Sequence, residues 1–140
     1  MKPDTTAAAT AAPITDEVNY LSAEDILNSE DIDFVDVTVQ EWKRNGQPGV
    51  IRLRAMTADE AIKFTEELKD KAKSVDSYIR IVAATAVKVN ADGTCGEPLF
   101  RGDVAVHKLR QKKSGIFIRL QKAAMKLNNL IEEDDKVKNG

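Results

Sequence analysis

Between Phe34 and Ala55 the chain alternates twice between apolar and polar residues, and one face of that segment has to be covered by everything that follows. Val35, Val37 and Val39 alternate with Asp36, Thr38 and Gln40, and Ile51, Leu53 and Ala55 alternate with Arg52 and Arg54. A period of two marks a half-buried strand, because successive side chains point to opposite faces. Trp42 stands at the end of the first run, and Lys43-Arg44-Asn45-Gly46-Gln47-Pro48-Gly49 is dense in turn formers, so the two runs predict a β-hairpin. With Asp36 across from Arg52 or Arg54, the ion pair would add roughly 0.2 to 1 kcal/mol of register preference.

Downstream the period changes to that of helices. Thr57 and Glu60 form a T-x-x-E capping box that opens a helix to about Lys73. Asp59/Lys63 and Glu67/Lys71 are i,i+4 pairs in the favourable order, predicting a solvated face, while Ala61, Thr65, Leu68 and Ala72 line the other. Asp76 can cap a further segment, Ser77 through Val89, whose small and β-branched residues suit helix and strand alike. The apolar run is long for a strand, so a helix to about Val87 is expected. Asn90-Ala91-Asp92-Gly93-Thr94 reads as a turn, with an extended piece around Pro98-Leu99-Phe100 pairing back across it. Asp103 can cap a helix carrying Val104, Val106 and Leu109, and Ser114 can cap the last one. There Phe117, Leu120, Ala124, Leu127 and Ile131 recur at spacings of three and four, the cleanest amphipathic stripe in the chain.

Ahead of the hairpin, Ser22 followed by Asp25 predicts a short capped helix over about 23–28. Residues 1–19 are rich in Ala, Thr and Pro and offer almost nothing large to bury, so a disordered arm is expected. The expectation is therefore an α+β protein: one domain over 20–131, a small N-terminal β-hairpin packed with four to five helices, and a flexible charged tail over 132–140.

A chain of 140 residues with 42% hydrophobic residues suits one core of ordinary size. The net charge of −2 and pI near 5.5 give no bulk attraction to nucleic acid or to anionic membranes. Cys95 is the single cysteine, which fits a reducing compartment. No apolar run approaches the roughly 20 residues that cross a bilayer, and the first dozen residues lack the apolar centre of a secretory signal. The chain reads as cytoplasmic.

Sites for chemistry are hard to assemble. His107 is the only histidine and lies twelve positions from Cys95, so no set of four nitrogen and sulfur ligands exists for zinc. Asn90-x-Asp92-Gly93 is like the middle of an EF-hand loop, yet the first and twelfth positions would be Lys88 and Leu99, which favours an ordinary Asp-Gly turn. No glycine pattern forms a phosphate cradle. A serine triad would rest on His107 alone, beside Lys108 on an expected surface helix. No catalytic, cofactor-binding or metal-ligating residue is assigned, and the chain is read as a protein that is not an enzyme.

Charge is distributed unevenly. Asp16 to Glu41 holds nine acidic residues and no basic ones, whereas Arg101 to Lys126 holds eight Lys and Arg against one acid, Asp103. Lys108, Arg110, Lys112 and Lys113 could contact phosphates, which keeps a small nucleic-acid-binding regulator using the C-terminal helices as the alternative function. Against it, no aromatic residue stands near to stack bases. A solvated helix face, an internal complement to the acidic stretch and a partner-docking patch are the other readings.

The order of these pieces carries a family likeness. Val37-Thr38-Val39-Gln40-Glu41-Trp42, a Gly-containing turn and Val50-Ile51-Arg52-Leu53-Arg54-Ala55-Met56-Thr57 lead into Ala58-Asp59-Glu60; later come Asp92-Gly93, Pro98-Leu99-Phe100 and Ala123-Ala124-Met125-Lys126-Leu127-Asn128. From Leu21 to Leu130 this succession resembles the tail assembly chaperones of long-tailed phages and prophages, in which a V-x-V-x-E-W hairpin precedes the helices and an x-D-G-x-x-L-F loop precedes the C-terminal pair. Here the hairpin turn is longer and Thr94-Cys95-Gly96 enlarges the later loop. The resemblance implies a protein of the host bacterial cytoplasm that binds the tape measure protein and recruits the tail tube (major tail) protein. On that reading Phe117, Leu120 and Leu127 stay available to partners or to self-association, with Lys108 and Arg110 beside them.

Overall fold

The structure, a computed structural model, describes residues 18–130. The expected arm up to residue 17 and the charged tail from residue 132 lie outside the described residues. The chain divides into a unit ending at Asp31 and a body starting at Ile32, so the body begins about twelve positions later than the sequence pattern places it. The first unit carries α1 (Ala23–Leu27), opened by the expected capping box: Ser22 Oγ accepts from the Asp25 N–H, and the Asp25 carboxylate accepts from the Ser22 N–H.

The body is α+β, as expected, but its sheet has four antiparallel strands in the order β1-β2-β3-β4 rather than a hairpin alone. Two come from the hairpin, β1 (Phe34–Arg44) and β2 (Gln47–Arg54). The turn is tighter than its composition suggests: Asn45 and Gly46 alone make it, at φ 56° and 77°, the positive angles that a two-residue turn matching strand twist requires. The remaining turn formers serve a bulge, where pairing passes from Val39↔Gly49 directly to Lys43↔Pro48. Gly49 is obligatory there, since a Cβ would lie 2.7 Å from the Trp42 carbonyl oxygen. The bulge also changes phase: odd positions point inward through Val39, and after it Trp42 does.

The expected helix over 77–87 stops short. α4 (Ser77–Thr85) ends where Thr85 Oγ1 donates to the Ile81 and Val82 carbonyls, and Ala86–Val89 becomes β3. Ala86 pairs with Leu53 and Val87 with Arg52. A β-branched stretch sits well in either state, and the free edge of β2 decides for strand. β4 (Cys95–Pro98) then pairs back across the Asn90–Thr94 turn. The predicted helix to Lys73 is likewise divided, into α2 (Ala58–Glu67) and α3 (Lys71–Ser74), with Asp70 capping the second. The inward face of α2 is Ala61, Phe64 and Leu68, while Thr65 and Ala72 are exposed. Glu67 bonds to Arg80 rather than pairing with Lys71.

α5 (Gly102–Leu109) and α6 (Ser114–Leu127) complete the body. Neither Asp103 nor Ser114 is a cap; the preceding Arg101 and Lys113 take that position without a side-chain bond. The core gathers Val39, Ile51 and Leu53 from the hairpin, Ile79 and Val82 from α4, and Ile116, Phe117, Leu120 and Ala124 from α6. Trp42 meets Phe117 edge-on at 5.7 Å between ring centroids. On the other face of the sheet Asp36 pairs with Arg52, one of its two expected partners, through two hydrogen bonds of 2.8 and 3.0 Å. Arg52 also donates to the Gly93 carbonyl and lies 3.8 Å over the Phe34 ring, so it ties β1 and β2 to the turn between β3 and β4.

Candidate partner-binding site

The residues assigned to partner binding from sequence fall into two places, and neither makes one surface with the other. Phe117 and Leu120 are 1% and 0% exposed, so the predicted availability of this stripe is corrected: its apolar face was needed to cover the sheet. Leu127 is half-buried against the same core. Lys108 is exposed on α5, and Arg110 turns back, placing Nη1 3.8 Å from the Asp76 carboxylate.

A different apolar surface is left open. Phe64, Leu68, Ile81, Met125 and Leu130 line a groove of about 320 Å³ between α2, α4 and the end of α6. The end of α6 fixes its shape. Asn129 takes a positive φ of 59°, the Leu130 N–H donates to the Met125 carbonyl, and the Asn129 N–H donates to the Lys126 carbonyl, a Schellman stop that turns Leu130 back. Asn128 then binds across the fold, its Oδ1 accepting from the Met56 N–H at 2.7 Å at the entry to α2. Thr57 and Glu60 form the predicted capping box, and Glu60 takes a further bond from Arg54 at 2.6 Å. Burial alone would raise the Glu60 pKa, but these hydrogen bonds outweigh it and hold the carboxyl below its ordinary value.

A second cleft, of about 380 Å³, runs beside α4 and α5, with Arg80, Ala83, Phe100, Asp103 and Val106 among its walls. Arg80 is 6% exposed and binds three carboxylates: Asp76 at 2.8 Å, Asp103 at 2.9 Å and Glu67 at 3.3 Å. Burial by itself would lower the arginine pKa, yet the bonds it donates to Asp103 and Asp76 and the nearby Glu67 raise it. Asp103 is in turn held below the usual carboxylate range by Arg80 and Lys73. Asp76 Oδ2 is buried without a hydrogen-bond partner. Arg80 answers all three carboxylates, so the network fastens α2, α4 and α5. The sequence held one sign of it, an arginine in an apolar run with aspartate four positions earlier.

His107 is exposed and Cys95 half-buried on different elements, and among the described residues no three His, Cys, Asp or Glu side chains gather as a metal set. The Asn90–Thr94 turn is closed by Asp92, whose Oδ1 accepts from the Thr94 N–H and hydroxyl, and these bonds lower its pKa. No helix among the described residues is long and apolar enough to cross a membrane. Comparison with protein-family models, curated proteins and solved structures yields no match.

Proposed function

We propose that this chain is a tail assembly chaperone of a long-tailed phage: a cytoplasmic protein of the host bacterium that binds the tape measure protein and recruits tail tube subunits, without catalysis. The observation that supports this reading is the groove bounded by Phe64, Leu68, Met125 and Leu130, open and mostly apolar, with Thr65, Ser77 and Gln121 also on its walls. Its volume of about 320 Å³ suits two or three apolar side chains, the anchors an amphipathic helix presents at i, i+3 and i+4. A tape measure protein waiting to be enclosed is long, helical and apolar, and covering such anchors keeps it from aggregating. The order of hairpin, capped helix, Asp-Gly turn and terminal helix pair supports the same family.

Coexpression with the tape measure protein of the same phage tests the reading. The partner should move into the soluble fraction, and Leu130→Glu or Met125→Glu should return it to the pellet while the chaperone itself stays folded. An unchanged distribution of the tape measure protein with the unaltered chain would overturn the proposal. A second reading, a nucleic-acid-binding regulator, draws on the exposed Lys108, Lys112 and Lys113 at the junction of α5 and α6. It expects a gel shift that weakens steeply with salt, and absence of any shift at low salt removes it.

A further inference from the structure

The two edges of the sheet are treated differently by the sequence. β4 is four residues long and ends in Pro98, which cannot donate to a neighbour. β1 is an edge of eleven residues with no proline and no basic residue before Lys43. Its pairing is all with β2, and among the described residues no backbone group bonds to its outer side. Short strands, proline and lysine are the usual means of keeping an edge from pairing, and over Phe34–Val39 all are missing. Val35 and Val37 on the inner face of this edge are only half-buried.

We propose that β1 pairs antiparallel with β1 of a second copy, about a two-fold axis at Val37, to make one sheet of eight strands. The register follows from the sequence. Opposed residues in an antiparallel pair share a face, and a centre at Val37 sets Val35 against Val39 and Val37 against itself on the inner face. On the outer face it sets Asp36 against Thr38. A centre one pair earlier would bring the two Asp36 carboxylates together, and a centre one pair later would set Val35 against Glu41. Two hydrogen bonds from Arg52 hold the Asp36 carboxylate in place beside the axis. The bulge at Gln40–Trp42 ends the regular edge, and because each β1 is consumed by the pairing the assembly closes as a dimer.

Sedimentation of the full chain over roughly 1 µM to 1 mM should show a monomer–dimer equilibrium. Thr38→Lys, facing Asp36 of the second copy, should tighten it and Thr38→Glu loosen it, each by about two- to five-fold; thermal melts of both confirm the fold. In a Cys95→Ser background, Val37→Cys should cross-link on oxidation, since opposed Cα atoms in such a pair lie about 4.5 to 5.5 Å apart. Val50→Cys, one strand further in, should not. Backbone amides of Phe34–Val39 should gain exchange protection as the dimer fills. A chain that stays monomeric throughout, a dimer in which Val50→Cys cross-links as readily, or protection that appears only when an extended peptide is added would each overturn the proposal.

Discussion

Replacing Arg80 with methionine isolates what the buried ion network contributes. The thioether chain keeps most of the arginine stem in place, so packing changes little and the charge is what goes. Asp76, 5% exposed on its side chain, then loses the 2.8 Å bond to its Oδ1 while Oδ2 already lacks one. The nearest remaining cation is Arg110 at 3.8 Å, itself 46% exposed. Removing one partner of a buried pair costs about 3 to 5 kcal/mol, because the survivor stays desolvated and uncompensated. Asp103 and Glu67, 57% and 32% exposed, can be rehydrated, so the loss is set by Asp76. With a urea slope of about 2 kcal/mol per molar for a body of this size, the unfolding midpoint should fall by about 2 M. Asp76→Asn combined with Arg80→Met should recover about 2 kcal/mol of that loss, since no buried charge is then stranded. Urea titrations of the three variants followed by circular dichroism measure both quantities. A fall in midpoint under about 0.5 M for Arg80→Met, or a double variant no more stable than the single, would refute the reasoning.

Gly49→Ala should destabilise the fold by about 1 to 3 kcal/mol, because the new Cβ would sit 2.7 Å from the Trp42 carbonyl; Trp42 is the only tryptophan, so its emission should shift with the melt. Asn128→Ala should cost about 1 to 2 kcal/mol in a thermal or urea melt by leaving the Met56 N–H without its 2.7 Å acceptor. Acidification should lower the melting temperature in a defined window: Arg52 holds Asp36 down, Arg80 holds Asp103 down, and the bonds from Arg54 and Thr57 hold Glu60 down against burial. A carboxyl with a depressed folded-state pKa stabilises the fold at any pH above its unfolded value, here 3.8 for Asp and 4.5 for Glu, and that contribution is lost as pH falls through the folded value. Melts should therefore vary little on this account from pH 7 to about 5 and fall below about 4; an equal slope across the whole range would contradict it.

The elements written in local spacing could be read directly. The alternation of β1 and β2, the pairing of Asp36 with an arginine of β2 and the boxes at Ser22 and Thr57 all depend on residues within a turn or across one hairpin; local spacing does not choose between Arg52 and Arg54. What escaped was decided at long range. Ala86 and Val87 leave the helix because β2 presents a free edge beside them, which no window around Thr85 contains. α2 ends at Glu67, which bonds to Arg80, and Phe64 rather than Thr65 faces inward, packed against a core drawn from distant elements. The stripe on α6 was visible as a stripe, but periodicity cannot distinguish an apolar face that covers a sheet from one kept for a partner. Three groove residues, Phe64, Met125 and Leu130, were missed because each lies beside a regular stripe rather than on it.

One irregularity in β1 governs both surfaces to which function is assigned. By inserting residues between Val39 and Lys43 the bulge turns Trp42 inward, where its ring meets Phe117. Once Trp42 and Phe117 are joined, α6 must lie across the sheet with Leu120 and Ala124 buried beneath it, and its apolar stripe is spent on the core. What stays open is the seam beyond that stripe, where Met125 and Leu130 line one groove with Phe64 and Leu68. The same insertion ends the straight run of the edge at Val39, leaving a six-residue run whose outward backbone groups, on alternate residues, bond to nothing among the described residues. A β1 without the bulge would point Glu41 rather than Trp42 at the core and extend the open edge toward the turn. It would thus weaken the seat of α6 and loosen the register of the edge, two effects that a deletion within Gln40–Trp42 should produce together.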